Sequence, residues 1–328
     1  MFPPGVNSAA SSSRRRRTIV ISTAAAAVIA VVAVVLVVLL TARPSQAGGD
    51  VPSAPLPDDT AMGTVDLEVV DLEVMRAYYT GALGLPVIEE DAERVVLGYD
   101  EPLVTLSAGA EGADDPAQAG LYHTAILYPD EPALAAALLS VATLAPQSYQ
   151  GAADHAVSLA FYFGDPEGNG VELYVDRPRD EWVWEDGQVS MGSAFLDPNA
   201  FISEHADGEP ATDAQVGHVH LRVGDLDQAR AFYADTLGFA VTSETDGALF
   251  YAAGGYHHHL ATNTWLSAGA GERGEGPGLG AFVVRVPTQG DLDDVAARLE
   301  AAGVAHETAA GAIETADPWG NVVNVLVD

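Results

Sequence analysis

The chain has 328 residues, no cysteine, no lysine and a formal net charge of −33. That length allows a sizeable core and more than one domain. The missing cysteines exclude disulfides and thiolate metal sites. An excess of acid this large repels nucleic acid and anionic headgroups, so nucleic acid is excluded as a partner. The plainer consequence of the charge is solubility, or tolerance of salt.

The charge is unevenly spread. Residues 1–49 hold Arg14, Arg15, Arg16, Arg17 and Arg43 and no acid; all 47 acids lie beyond them. Residues 1–17 are rich in Pro, Ser and Ala and read as a disordered, basic cytoplasmic N-terminus. Within 18–41 the uncharged apolar run Ile19–Leu40 is long enough to span a bilayer. The arginines before it should stay cytoplasmic, which places the acidic body outside the cell membrane on a single-pass anchor. A cleaved signal peptide, leaving a secreted body, is the rival reading, since "SQAGG" at Ser45–Gly49 offers small residues for cleavage. "RRTIV" at Arg16–Val20 also fits a twin-arginine export signal. Residues 42–61 read as a flexible linker.

The rest of the chain repeats itself. "TVDLEVVDLEVMRAYYTGALGLPV" from Thr64 returns as "HVHLRVGDLDQARAFYADTLGFAV" from His218. Each copy opens with a half-buried strand by its alternation. Asp71 and Asp225 then stand where a helix cap belongs. Arg76, Tyr79 and Leu83 recur as Arg230, Tyr233 and Leu237, the spacing of one helical face. Gly84 and Gly238 follow as C-terminal caps. A second pair, "FYFGDPEGNGVELYVD" from Phe161 and "IETADPWGNVVNVLVD" from Ile313, is turn chemistry leading into a strand. Strand-like runs lie at Arg94–Tyr99, Leu103–Ser107, Leu121–Tyr128, Ala248–Ala252, His257–Asn263 and Ala281–Val286. Pro132–Leu144 and Asp291–Ala302 read as helices. The pattern predicts an α+β fold of four βαβββ modules, about 62–110, 119–178, 216–268 and 277–328, paired into two curled mixed sheets. It divides into a first domain, 62–178, a connector, 179–215, and a second domain, 216–328.

These modules resemble the vicinal oxygen chelate superfamily of glyoxalase, bleomycin-resistance and extradiol dioxygenase folds. "GLYHTAILYP", "DPEGNGVELYVDRP" and "GHVHLRVGDL…GGYHHHLATNTW" are similar to its two-domain catechol 2,3-dioxygenase-type members, and the likeness covers nearly everything after residue 62. The resemblance implies metal ligands on the first and last strands of a module. The first-strand positions are Thr64, His123, His218 and Ala281; the last-strand positions of the second and fourth modules are Glu172 and Asn324. The middle modules therefore offer His123, Glu172 and His218, with His220 as an alternative to His218, and the outer ones offer no strong site. One ion sees all three ligands only if the second module pairs with the third, and the first with the fourth.

Two histidines and a carboxylate suit Fe(II), with Mn, Ni or Zn as alternatives. The implied activity is an extradiol dioxygenase joining a small catechol-like aromatic and dioxygen. A glyoxalase-like metal-dependent lyase or isomerase, or a non-catalytic small-molecule binder, are the competing classes. A lyase of that kind usually wants a carboxylate on both partner modules. The run His257–His259 is expected on the last strand of the third module, where alternation sets His258 on one face and His257 and His259 on the other. By resemblance His258 handles protons, with His257 as the fallback. His155 and Tyr162, expected on the strands before Glu172, are placed to hydrogen-bond the substrate or the reacting oxygen. His205 and His306 are given no role.

Overall fold

The structure, a computed structural model, describes residues 55–328 apart from 275 and 310. The expected N-terminal segment, the apolar run Ile19–Leu40 and most of the linker lie outside those residues. Among the described residues no helix is long and apolar enough to cross a membrane.

The order of elements is one strand–helix–three-strand unit, four times over. The first comprises β1 (Ala61–Val69), α1 (Leu72–Ala77), β2 (Val87–Glu90), β3 (Arg94–Gly98) and β4 (Pro102–Ala108). The second comprises β5 (Gly120–Leu127), α2 (Glu131–Leu144), β6 (Tyr149–Asp154), β7 (Ser158–Gly164) and β8 (Gly170–Asp176). The connector adds β9 (Trp184–Glu185), β10 (Gln188–Val189), β11 (Ala194–Phe195) and α3 (Pro198–Glu204). The third unit is β12 (Gln215–Arg222), α4 (Leu226–Arg230), β13 (Ala240–Thr245), β14 (Ala248–Ala252) and β15 (Leu260–Asn263). The fourth is β16 (Gly278–Val286), α5 (Gln289–Ala302), β17 (His306–Ala309), β18 (Ala312–Ala316) and β19 (Val322–Val327).

Asp71 and Asp225 cap α1 and α4 by accepting from the Val74 and Gln228 N–H groups. Both helices then loosen into a π-turn, Tyr78–Ala82 and Ala231–Thr236, which the 3–4 spacing did not foretell. The turns leave Tyr79 and Tyr233 buried, each bonded to the carboxylate of an Asp-Pro-x-Gly-Asn turn: Tyr79 to Asp165 at 3.1 Å and Tyr233 to Asp317 at 2.7 Å.

The strands form two large sheets, in the orders β17-β18-β19-β16-β1-β4-β3-β2 and β11-β6-β7-β8-β5-β12-β15-β14-β13. The first unit thus pairs with the fourth, and the second with the third. Each sheet has two first strands antiparallel at its centre, β1 with β16 and β5 with β12, flanked by last strands running parallel to them. The two tyrosine–aspartate bonds each join a unit of one sheet to a unit of the other.

The central seam of the nine-stranded sheet is irregular in a way that matters for the site. Ala125 stands opposite His218 and Ile126 opposite Val216, so Gly217 is an extra residue in β12. His123 stands opposite His220 and Leu121 opposite Leu221, so Tyr122 is an extra residue in β5. Such bulges re-aim the side chains beside them.

Candidate metal centre

The bulged seam brings together three side chains from three adjacent strands. His123 comes from β5, His218 from β12, and Glu172 from β8, where it lies beside Ala125. All three are buried. His123 Nε2 lies 3.0 Å and His218 Nε2 3.2 Å from the same Glu172 oxygen, and the two Nε2 atoms are 3.3 Å apart. Ligands at right angles on bonds of about 2.1 Å would stand about 3.0 Å apart. The triangle therefore has the dimensions of one face of a divalent ion's coordination shell, and its donors, two imidazoles and one carboxylate, suit such an ion.

The protonation states fit too. Burial alone would raise the Glu172 carboxyl, but His218 and His123 beside it hold it well below the usual carboxylate range. Burial pushes His218 down to about 4, with Glu172 opposing. A carboxylate beside a neutral imidazole is the form in which these groups bind metal. Local packing keeps the strands close: a Cβ on Gly170 would meet the Tyr122 carbonyl oxygen at 2.2 Å and the His123 Cβ at 2.8 Å.

His220, on the same strand as His218, is engaged elsewhere. Its Nε2 lies 3.0 Å from the Asn263 amide nitrogen. The Trp265 backbone N–H donates to the Asn263 side-chain oxygen Oδ1, which turns the Asn263 NH2 toward His220. The structure places His218 in the triad and His220 outside it.

The histidine run is not on a strand. β15 begins at Leu260, and 253–259 form a turn in which Gly254 and Gly255 take φ of 60° and 63°. Strict alternation is therefore lost. His257 and His258 face each other, Nδ1 to Nδ1, at 2.7 Å, and His257 Nε2 lies 2.8 Å from Asp176. The His258 ring lies 4.1 Å from that of His218. Burial, with His218 and His257 next to it, keeps the His258 imidazole well below its ordinary value. His259 Nδ1 accepts from the Ala253 N–H, and burial pushes it down to about 3.

His155 sits in the turn after β6, not on a strand; Tyr162 is on β7, next to Glu172 in register. The Gly192 carbonyl accepts from His155 Nδ1 at 2.6 Å, so a neutral His155 keeps a lone pair at Nε2. The Tyr162 hydroxyl lies 2.7 Å from it and also interacts with the Glu172 carboxylate, which puts the phenol beside the triad.

Several neighbours were not singled out from the sequence. Tyr122, re-aimed by its bulge, stacks edge-on with His220 at 4.8 Å and Trp265 at 5.4 Å. Trp182, from the connector, packs on His257 at 5.1 Å. Asp176, Asn263 and Gly192 fix histidine orientations. A repeat signal existed for Asp176 alone, at Asp328.

Residues 215–325 match the profile of the Glyoxalase/Bleomycin resistance protein/Dioxygenase superfamily. A catechol-2,3-dioxygenase of Bacillus subtilis (strain 168) is 36% identical over 273 residues, 80% of this chain and 95% of that one. The chain belongs to the vicinal oxygen chelate superfamily. Among solved structures, a Bacillus subtilis protein provisionally described as a dioxygenase aligns with TM-score 0.57 at 16% identity, over 82% of this chain and 85% of that one. Glyoxalase I of Zea mays aligns with TM-score 0.48 at 17% identity, over 82% and 92%.

Within this vicinal oxygen chelate fold, register defines the remaining ligand positions. Glu172 lies beside the residue two places after His123; the residue two places after His218 is His220, and beside it lies Ala261. The third module thus puts a methyl group where a second carboxylate would stand, correcting the expectation of histidines there. In the eight-stranded sheet, Thr64 bonds the Pro102 carbonyl, and Ala281 and Asn324 hold the other matched positions. Among the described residues the one group of three side chains able to share an ion is His123, Glu172 and His218.

Proposed function

We propose that the chain is an Fe(II)-dependent extradiol dioxygenase, opening the ring of a catechol-like substrate beside its hydroxyls. The observation that carries this reading is a triad with no fourth protein ligand among the described residues. Ala261 offers no donor where a second carboxylate would stand. His123, Glu172 and His218 would hold the ion, which when bound supplies a redox-active Lewis acid joining catechol and dioxygen. The similarity to a catechol-2,3-dioxygenase over nearly its whole length supports the same substrate class.

The chain's own groups do the rest. Buried His258, neutral beside the triad, takes a proton from a catechol hydroxyl and returns it to the departing oxygen. His155 holds the Tyr162 hydroxyl beside Glu172, where it hydrogen-bonds the substrate. Tyr122 and Trp265 offer aromatic surface beside the triad on which a planar ring packs.

Anaerobic loading with Fe(II), Mn(II), Ni(II) or Zn(II), followed by an oxygen electrode and a catechol panel, tests the reading. Oxygen uptake matched one to one with substrate loss, strongest with Fe(II), is expected. Turnover without oxygen would assign a lyase, and binding with no uptake under any metal a sequestering protein.

A further inference from the structure

His258 is one end of a buried chain that has a polarity. Asp176, the last residue of β8, lies four residues beyond Glu172 and is half-buried. Its Oδ1 is 2.8 Å from His257 Nε2, and His257 Nδ1 is 2.7 Å from His258 Nδ1. His257 is fully buried under Tyr256 and Trp182, with ring centroids at 4.1 and 5.1 Å. Trp182 is itself pinned by its indole N–H to the Arg177 carbonyl, and Arg179 covers both Trp182 and Tyr256.

The hydrogens in such a chain are not free to choose. A carboxylate only accepts, so His257 must carry its hydrogen on Nε2. A neutral His257 then has a bare lone pair on Nδ1. With His257 neutral, the hydrogen between the two facing Nδ1 atoms comes from His258. His258 is thereby left without a hydrogen on Nε2, and that nitrogen makes no hydrogen bond among the described residues.

We propose that Asp176, acting through His257, is a positioning residue that fixes His258 in the Nδ1–H tautomer, with the Nε2 lone pair free for a substrate proton. This deepens the dioxygenase reading and rests on it, since it supposes that His258 is the proton-handling group. The internal repeat supports a dedicated arrangement. Asp328 holds the position of Asp176 in the fourth module but pairs with Arg285 at 3.3 Å. The β3–β4 connection, 99–101, contains no histidine, whereas its β14–β15 counterpart contains three. Among the described residues, the chain of bonds is found in the sheet that carries the triad and not in the other.

Long-range proton–nitrogen correlation spectra of the metal-free full chain, labelled at its histidine rings, read tautomers without turnover. His258 signals are assigned by their loss in His258→Asn. The expected result is His258 as Nδ1–H and His257 as Nε2–H. In Asp176→Leu, His258 should become a tautomer mixture. Metal content and KM for catechol should hold, while kcat falls on the order of 10²-fold. A wild-type His258 in the Nε2–H form overturns the proposal, and so does an unchanged tautomer in Asp176→Leu. The wild-type spectrum decides even if the variant does not fold. A chain that cleaves catechol with His258 in the Nε2–H form loses the positioning role and keeps the function. A chain with the expected tautomers and no ring cleavage with any metal loses the function.

Discussion

His258 and His123 belong to one buried cluster, yet substitution should separate them. His258→Ala should retain the metal, because the triad is complete without it, and lose turnover by about 10²–10⁴-fold. His123→Ala and Glu172→Ala should lose both metal and turnover; metal analysis beside kinetics distinguishes the two outcomes. His259 makes a different prediction, about acid. Its folded-state pKa is depressed to about 3, while an unfolded histidine titrates near 6.5. Stability is thus present above about pH 6.5 and drains away as pH falls toward the folded value, by about 1.4 kcal/mol per unit for such a group. Urea unfolding of the metal-free chain should show a midpoint falling from pH 7 to pH 5; a flat profile would contradict the burial. The triad was legible because a histidine or glutamate in the middle modules stands against Thr64, Ala281 and Asn324 in the outer ones. Asp176 and Ala261 were not, because their meaning lies in strand register and in a turn that brings distant residues together.

At the scale of elements, the site depends on close strand spacing, and at His123 that spacing depends on a glycine. Gly170 lets β8 run close beside β5 at His123, and a methyl there meets backbone, which has little freedom to move. Gly170→Ala should cost about 1–3 kcal/mol of stability and lower metal occupancy by shifting His123. Full occupancy in metal analysis would show that the strand spacing does not set the triad. The strands, the long helices and the Asp caps followed from alternation, periodicity and N-terminal chemistry. The π-turns at Tyr78–Ala82 and Ala231–Thr236 did not, because tertiary bonds to Asp165 and Asp317, not local propensity, reward them. The histidine run was misplaced for a related reason: Gly254 and Gly255 end the alternating pattern just before it.

Across the whole molecule, each sheet takes one module from 62–178 and one from 216–328. The pairing deduced from the ligands, second with third and first with fourth, is the one the sheets adopt. A fragment of 62–178 contains His123 and Glu172 but lacks β12 and His218. Expressed alone, it should unfold without a cooperative transition and bind no stoichiometric metal; calorimetry and metal analysis check both. In the proposed function the triad joins dioxygen to a catechol. The direct test is reaction of the Fe(II)-loaded chain with isotopically labelled dioxygen and catechol, with mass spectrometry of the product. Both labelled atoms should appear in a single ring-opened product, and His258→Ala should form it far more slowly. A product with no label, or one formed equally fast without oxygen, would contradict the account.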